Sequence, residues 1–338
     1  MINFQYARAN DVADAVRQIA ADPTAKFIAG GTNLLDLMKE DVERPSRLID
    51  IARLPLTKID ETADGGLRIG ALVPNSDLAW HVLITQRYPV LASAILAGAS
   101  AQLRNMASTG GNLLQRTRCF YFYDTATPCN KREPDSGCSA IKGINRINAI
   151  LGTSDACIAT HPSDMCVALA ALEAKIHVAG PAGERIISFA DFHRLPGDTP
   201  QRDTNLAVNE IVTAVELPAQ GFAKNYTYLK IRDRLSYAFA LVSVAVGLEM
   251  DGNTIRQARF AVGGVAHKPW RDLSAEAALN GQVASPDNFK RAADLAVRDA
   301  QGYGHNTFKI ELARRTIVRA LTQAATATPQ SQFNKKVV

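Results

Sequence analysis

Four cysteines close together in the sequence are the side chains best suited to chemistry: Cys119, Cys129, Cys138 and Cys157, separated by 10, 9 and 19 residues. Thiols grouped in this way either bind a metal or form disulfides. Disulfides are disfavoured, because a chain of 338 residues is large enough to fold without them. The N-terminal residues also lack a basic region followed by an apolar core, so we expect no export signal. The group therefore predicts a metal site.

Two metal centres suit four thiolates. A 4Fe–4S cluster takes one cysteine on each iron, and a long loop punctuated by Gly and Pro can wrap around it. A tetrahedral zinc ion would use the same four ligands, although zinc sites usually contain closely spaced cysteine pairs, which this loop does not have. The fifth cysteine, Cys166, lies in the apolar helical run Met165–Leu172 and is predicted to be a buried, inert thiol. His161 is an alternative ligand, but a lone histidine is more often structural.

Two diglycine segments indicate a second kind of chemistry. The apolar run Lys26–Ala29 predicts a buried strand, and the Gly-Gly pair that follows ends it. Thr32 and Asn33 can then cap a helix. Backbone N–H groups at such a turn, with the helix dipole behind them, suit an anionic pyrophosphate, while an ordinary tight turn is the alternative. The segment Ser108–Asn112 offers the same features after two hydroxyl side chains.

Length and composition limit the classes of protein to which the chain can belong. A chain of 338 residues predicts two or three domains, and 47% hydrophobic with 21% charged residues is ordinary for a globular protein. The net charge of +5 is mild and no long basic run is present, so we do not expect nucleic-acid binding. The longest apolar run, Tyr237 to Leu248, is too short to span a bilayer, and we expect no membrane insertion.

The pattern of elements must hold these candidate residues in place. Strands and helices alternate up to about residue 51, which predicts a small α/β lobe. A hairpin is predicted across the turn 180–183, and a linker at residues 218–224 is predicted to separate two domains. The second domain is predicted to have strands near Tyr226–Ile231, Ala238–Leu248 and Ile255–Val262. Three helices follow, and Asn306 can cap the last of them.

Five segments, all in the same order, resemble the FAD-binding subunits of molybdenum hydroxylases, the family of xanthine dehydrogenase and the carbon monoxide dehydrogenase flavoprotein. They are Ala29–Asn33, Ser108–Asn112, Pro162–Asp164, Tyr228–Arg232 and Gly263–Ala266. The resemblance implies an α+β fold. A two-lobed FAD-binding domain of the PCMH type would span residues 1–220, and a three-stranded antiparallel sheet with a three-helix bundle would span residues 224–328. The family's molybdenum-cofactor and 2Fe–2S domains have no counterpart in this sequence, which implies a separate flavoprotein subunit.

The cysteines lie in a segment that the plain members of the family do not have. In those members the second diglycine is closely followed by the aspartate that matches Asp164, whereas here about fifty residues intervene. This insert, about residues 115–160, resembles the four-cysteine insertions of hydroxybenzoyl-CoA reductase and, more closely, of FAD subunits of periplasmic aldehyde oxidoreductases. The similar stretches are Leu114–Cys119, Tyr121–Asp124, Pro128–Arg132 and Ala159–Asp164. The resemblance implies a 4Fe–4S cluster bound by Cys119, Cys129, Cys138 and Cys157.

The resemblance also implies roles in FAD binding. Asp164 would accept a hydrogen bond from the sugar or adenine side of FAD, with a helix N-cap as its alternative role. Val212 would contribute backbone beside the cofactor. Lys230 would lie near the isoalloxazine, with a solvated strand lysine as the alternative. The expected FAD-binding residues are Lys26, Phe27, Ile28, Ala29, Gly30, Gly31, Thr32, Asn33, Leu34, Ser108, Gly111, Asn112, Asp164, Val212 and Lys230.

The function implied is that of an electron-transfer subunit in a molybdenum-dependent aldehyde oxidoreductase. A molybdenum-cofactor subunit would oxidise the substrate, a 2Fe–2S subunit would pass the electrons on, and this chain would deliver them to an external acceptor. No residue is predicted to act as a substrate acid or base. The alternatives are a stand-alone FAD oxidase and a zinc-binding scaffold. The compartment stays open between the cytoplasm and export with a signal-bearing partner. Five basic residues could neutralise the cluster or face a partner, or lie on a solvated surface: Arg104, Arg116, Arg118, Lys131 and Arg132.

Overall fold

The structure, a computed structural model, describes residues 1–333, and within them the strands form three sheets. The first is parallel, in the order β1 (Gln5–Arg8), β3 (Arg47–Asp50), β2 (Lys26–Ile28). The second is antiparallel, in the order β4 (Ile59–Glu61), β5 (Leu67–Gly70), β8 (Ile211–Leu217), β6 (Lys175–Gly180), β7 (Gly183–Ser188). The third, also antiparallel, has the order β11 (Thr254–Gly263), β10 (Val242–Asp251), β9 (Asn225–Ile231). The fold is therefore of mixed α and β type, as expected.

Helices connect and cover the sheets. They are α1 (Val12–Ala21), α2 (Leu34–Lys39), α3 (Asn75–Trp80), α4 (Val82–Arg87), α5 (Pro89–Ala97), α6 (Ala101–Met106), α7 (Thr109–Leu113), α8 (Phe120–Tyr123), α9 (Ser139–Lys142), α10 (Asp164–Ala171), α11 (Phe189–Phe192), α12 (Leu273–Ala277), α13 (Pro286–Ala296) and α14 (Phe308–Ala325). None of the helices in the described part of the chain is both long and apolar enough to cross a membrane.

The first sheet with α1 and α2 forms the predicted α/β lobe. Helix α1 buries Ala15, Val16 and Ile19 on one face, as its apolar spacing requires, and Asp11 caps it by accepting a hydrogen bond from Asp14 N at 2.6 Å. Helix α2 differs from the prediction, because the side chain of Asn33 does not cap it. Asn33 Oδ1 instead accepts a hydrogen bond from Arg116 N at 2.9 Å, so this residue holds the insert rather than the helix.

Two helices that are apolar all round lie at the centre of the molecule. Helices α5 and α10 share one core with the second sheet, and this core continues onto Tyr228, Ala245 and Ala261 of the third sheet. A helix without a polar face must be covered on every side, which explains why these two lie between sheets. The first turn of α10 contains Asp164, so this packing also positions a predicted FAD-binding residue.

The C-terminal part has the predicted arrangement of a three-stranded antiparallel sheet followed by helices α12, α13 and α14. Its second core packs the other face of the sheet against α13 and α14, with Phe260, Phe289 and Ile317 inside. The strands are consequently buried on both faces. Asn306 does not cap α14 as predicted. Its side chain is buried and donates to Ala149 O at 2.9 Å, which ties the end of the insert to this sheet-and-helix unit.

Candidate functional site

The two diglycine segments lie against each other. A Cβ atom added to Gly30 would lie 1.7 Å from Met106 O, so only glycine allows this approach to the end of α6. Two residues further on, Ser108 begins the second segment, and its Oγ accepts a hydrogen bond from Gly111 N at 3.2 Å. Gly31 has φ +71, in the left-handed region that favours glycine. Both loops predicted to bind pyrophosphate thus border one region of the molecule.

Two buried side-chain amides beside these loops have N–H donors without an acceptor. Asn33 Nδ2 and Asn75 Nδ2 are buried and have no acceptor. Asn75 Oδ1 accepts from Asn112 Nδ2 at 2.6 Å, and Asn112 Oδ1 accepts from Ser163 Oγ at 2.6 Å. Buried donors without partners are costly, so these atoms fit a ligand that supplies acceptors, as a dinucleotide does. The helices α2 and α7 that follow the loops have only six and five residues, so backbone and amide N–H groups contribute more than a long helix dipole.

Asp164 and Lys230 form a buried ion pair. Lys230 Nζ donates to Asp164 Oδ2 at 2.7 Å and to Ala97 O at 3.1 Å, while Tyr228 OH donates to Asp164 Oδ1 at 2.6 Å. Lys230 is 5% exposed, so it is not a solvated strand lysine. The cap of α10 is Ser163, which accepts from Cys166 N, and this leaves the Asp164 carboxylate to the ion pair. The contacts that Asp164 and Lys230 make with FAD stay predictions.

The other predicted FAD-binding residues surround the first loop or lie deeper in the fold. Lys26, Phe27 and Ile28 form β2, and Leu34 begins α2. Val212 lies in β8 opposite Val178, with its side chain in the core shared by the second sheet. Its predicted contact with the cofactor is through the backbone and stays a prediction.

The four cysteines of the insert line one small cavity. Thr117, Phe122 and Lys131 contribute to the same wall. Cys119 directly precedes α8, Cys138 directly precedes α9, and Cys129 faces Cys138 across an isolated antiparallel bridge. All four are free thiols, and Cys119, Cys129 and Cys157 are buried. Residues that are 38 positions apart in sequence therefore converge without any disulfide.

The spacing of the sulfur atoms bears on the choice between zinc and a cluster. Among the described residues, the only group of three or more ligand atoms that all lie within 4.8 Å of one another is His161, Cys166 and His193. The four insert cysteines do not meet this spacing. One zinc ion would hold its sulfurs about 3.8 Å apart, given a Zn–S bond of about 2.3 Å. A cubane separates them further, because each sulfur binds a different iron. No three of the four insert sulfurs are therefore grouped as a single zinc ion would group them.

The thiols also differ in acidity. Burial raises the pKa of Cys119, whose Sγ accepts from Asn148 Nδ2 at 3.5 Å. A hydrogen bond from Cys157 lowers the pKa of Cys138 to about 6, so a thiolate is favoured in this pair near neutral pH. Thiolates are the metal-binding form of cysteine. The cavity thus contains a ready anionic ligand.

A chain of paired charges, of which Lys131 is buried and the others are partly exposed, holds the insert against the rest of the fold. Lys131 Nζ donates to Pro200 O at 2.7 Å and pairs with Asp203. Asp203 also accepts from Arg116 Nε at 2.8 Å, and Arg116 reaches Glu43 Oε1 at 2.6 Å. Lys131 is 2% exposed, so the alternative of a solvated surface is wrong for this residue. Sequence reasoning missed the pairing because Asp203 is 72 residues away from Lys131.

A second convergence of metal-binding side chains lies beside α10. The ring nitrogens of His161 and Nδ1 of His193 are buried without partners, and His193 Nε2 contacts Leu113 O at 2.9 Å. Burial lowers the pKa of His193 to about 4 and raises the pKa of Cys166 to about 12. Both histidines are therefore neutral and the thiol is protonated, as predicted for an inert Cys166. The group is an uncharged part of the core next to the insert.

Comparison with known proteins identifies the family of the chain. The family model for the FAD binding domain in molybdopterin dehydrogenase matches residues 2–220, and that for the CO dehydrogenase flavoprotein C-terminal domain matches residues 226–324. The aldehyde oxidoreductase FAD-binding subunit PaoB of Escherichia coli K12 is 52% identical over 322 residues, which cover 95% of this chain and 98% of that protein.

Solved structures share the fold over the full length. Carbon monoxide dehydrogenase from Hydrogenophaga pseudoflava has a TM-score of 0.75 and 27% identity, covering 97% of this chain and 99% of that one. Quinoline 2-oxidoreductase from Pseudomonas putida 86 has a TM-score of 0.74 and 25% identity, covering 97% and 98%. The chain therefore belongs to the family of FAD-binding subunits of molybdenum hydroxylases and is an oxidoreductase subunit.

Proposed function

We propose that this chain is the electron-transfer subunit of a molybdenum-dependent aldehyde oxidoreductase and that it carries a 4Fe–4S cluster in addition to FAD. Its partners are a 2Fe–2S subunit and a molybdenum-cofactor subunit. The observation that carries the proposal is the convergence of Cys119, Cys129, Cys138 and Cys157 on one cavity, where no three of the four sulfur atoms all lie within 4.8 Å of one another. When bound, FAD exchanges one or two electrons, so it can exchange the single electrons that a 4Fe–4S cluster carries.

The residues of the chain bind and orient these groups. The backbone of the two glycine loops and the free donors of Asn33 and Asn75 would hold the dinucleotide. The Asp164–Lys230 pair would fix the region between α5 and α10 beside it. In the insert, the four thiolates would bind the cluster, and Lys131 in the cavity wall would offset part of their negative charge.

The insert and the first glycine loop are in direct contact, which supports electron exchange between the two cofactors. Leu37 of α2 packs in the same apolar cluster as Cys119, Phe122 and Cys157. The hydrogen bond from Arg116 N to Asn33 Oδ1 joins the start of the insert to the loop itself. Any cluster held in the cavity would thus lie within one layer of side chains of α2.

Aldehyde as the substrate class rests on the 52% identity with PaoB, which is named an aldehyde oxidoreductase subunit. The test is to purify the complex anaerobically through a tag on this chain and to add an aldehyde. We expect 2Fe–2S and molybdenum subunits to co-purify and the flavin absorption to bleach. The chain separated from its partners should not bleach with aldehyde.

The same experiment separates the alternatives. A stand-alone FAD oxidase would bleach with substrate in the absence of partners, and a zinc scaffold would be colourless. The covalent-flavin type of oxidase also needs a His or Cys in the Gly30 loop, and the residues around Gly30 include neither.

A further inference from the structure

One histidine from the C-terminal part of the chain reaches the cysteine cavity. His267 follows β11, inside the segment matched by the flavoprotein C-terminal domain. Its Nε2 lies 3.7 Å from Cys157 Sγ, although 110 residues separate them in sequence. His267 is 6% exposed and Cys157 is 5% exposed, so water does not compete for this contact.

Backbone hydrogen bonds fix both partners. Ile150 N and Leu151 N donate to Val265 O at 2.9 and 3.0 Å, and His161 N donates to Ala266 O at 3.0 Å. These bonds tie the end of the insert to the residues just before His267. Cys157 exchanges backbone hydrogen bonds with Ser154, at 3.2 Å in each direction. The imidazole and the thiol are therefore held in place by the main chain on both sides.

The position of the imidazole proton follows from the surroundings of the ring. A neutral imidazole carries one N–H, on either Nδ1 or Nε2. Nδ1 is buried and has no partner, whereas Nε2 faces sulfur. A proton on Nδ1 would leave a buried donor unsatisfied, whereas a proton on Nε2 finds an acceptor once Cys157 is a thiolate. The Nε2–H tautomer is the better satisfied of the two.

We propose that His267 Nε2–H donates a hydrogen bond to Cys157 Sγ when Cys157 ligates the cluster, and thereby makes the cluster easier to reduce. This inference rests on the proposed 4Fe–4S cluster. Hydrogen bonds to ligand sulfurs stabilise the added negative charge of the reduced state, which raises the reduction potential. Reduction takes up one electron, breaks no bond, and leaves the proton on Nε2. His267 is a positioning and tuning residue, not a catalytic one.

The C-terminal part of the chain thus completes the cluster site. The sulfur of a second proposed ligand, Cys119, also accepts a hydrogen bond, from Asn148 Nδ2. Lys309 Nζ in turn donates to Asn148 O at 2.8 Å. Lys309 lies in α14, so the sheet-and-helix unit supports both sulfur donors, one directly and one through the backbone of the insert.

The test compares two amides that match different ring nitrogens. The Gln side chain can place an N–H near the position of Nε2, whereas the shorter Asn side chain places it near Nδ1. The midpoint potential of the cluster is measured by electron spin resonance during titration with dithionite, in wild type, His267→Gln, His267→Asn and His267→Leu. His305→Leu, an exposed histidine in the same part of the chain, is the control.

We expect His267→Leu and His267→Asn to lower the equilibrium constant for reduction about tenfold, a fall of about 59 mV in a one-electron potential. His267→Gln and His305→Leu should keep the wild-type value, and iron content should stay the same in all variants that fold. A cluster whose potential is equal in His267→Leu and wild type would overturn the role of His267 alone. A wild-type chain without cluster iron would overturn both this inference and the proposed function.

Discussion

Lys230 Nζ donates to Asp164 Oδ2 at 2.7 Å, and this ion pair joins β9 to the first turn of α10 across 66 residues of sequence. Both side chains are almost fully buried, and both are predicted to contact FAD. Removing either partner leaves an uncompensated charge in the core. An experiment on either residue therefore has to distinguish a loss of FAD binding from a loss of fold stability.

We expect Lys230→Met to lower the free energy of unfolding by about 3–5 kcal/mol, the usual cost of breaking a buried pair. The double variant Lys230→Met with Asp164→Asn should cost less than the sum of the single changes, since it leaves no unpaired charge. Urea unfolding of the four proteins measures this coupling. Lys175→Met breaks an exposed pair with Glu216 and should cost less than about 1 kcal/mol. Additive effects at positions 164 and 230 would contradict the buried pair.

Gly30 tests the contact between the two glycine loops. An Ala at this position would put Cβ 1.7 Å from Met106 O, so the loops must separate. Gly30→Ala should therefore purify with much less FAD than wild type. Gly252→Ala is the control. Gly252 has φ +56, so an Ala there also strains the backbone, but the added Cβ would meet no neighbouring atom. It should cost about 1 kcal/mol and keep its flavin. Full FAD occupancy in Gly30→Ala would argue against the first loop as a binding element.

Asp203 holds two cations at the wall of the cysteine cavity. Burial alone would raise the pKa of Asp203, but Lys131 and Arg116 outweigh it and hold the pKa below the ordinary range. Asp203→Asn should lower the free energy of unfolding by about 3 kcal/mol, near the low end for a buried pair because its side chain is 29% exposed.

The same variant should lose iron more readily, since Lys131 lines the cavity. Iron content after gel filtration and urea unfolding check both effects. Asp233→Asn, which breaks the exposed pair with Arg146, should change neither. If Asp203→Asn and Asp233→Asn behave alike, the charge chain does not support the insert.

His193 makes the fold sensitive to mild acid. Burial lowers the pKa of His193 to about 4, against about 6.5 in the unfolded chain. Below about pH 6.5 the unfolded chain binds a proton that the folded chain takes up only near pH 4, so the free energy of unfolding falls as the pH is lowered through this window. Between about pH 7 and about pH 5 this amounts to about 2 kcal/mol.

His193→Gln should remove that part of the pH dependence, whatever its stability at pH 7. His161 and His267, whose pKa values burial also lowers, remain in the variant, so the dependence should become weaker without disappearing. Urea unfolding at the two pH values measures the difference between wild type and variant. An identical pH slope would mean that His193 is protonated in the folded chain.

Local patterns were sufficient to predict much of the fold. The hairpin of β6 and β7 and the three strands and three helices of the C-terminal part follow from apolar periodicity and turn residues, which act over a few positions. The burial of Cys166 also followed from its apolar helical surroundings.

Long-range partners were not predictable in this way. Asn33 and Asn306 were expected to cap helices, but each side chain bonds to backbone more than 80 residues away. Lys131 is buried because it pairs with Asp203, 72 residues away, and Cys157 contacts His267, 110 residues away. The residues next to such a side chain fit a local helix cap or a solvated surface equally well. Its own segment therefore does not indicate that the side chain bonds to a distant residue instead.

The most direct test of the central proposal is the iron and labile sulfide content of the anaerobically purified chain, with electron spin resonance after reduction. We expect about four irons and four sulfides per chain, and a signal distinct from that of a 2Fe–2S cluster. Single Ser variants of Cys119, Cys129, Cys138 and Cys157 should lose or destabilise the cluster, because ligation needs the thiolate. Cys166→Ser should keep it. Zinc without sulfide, or a cluster that survives all four changes, would contradict the proposal.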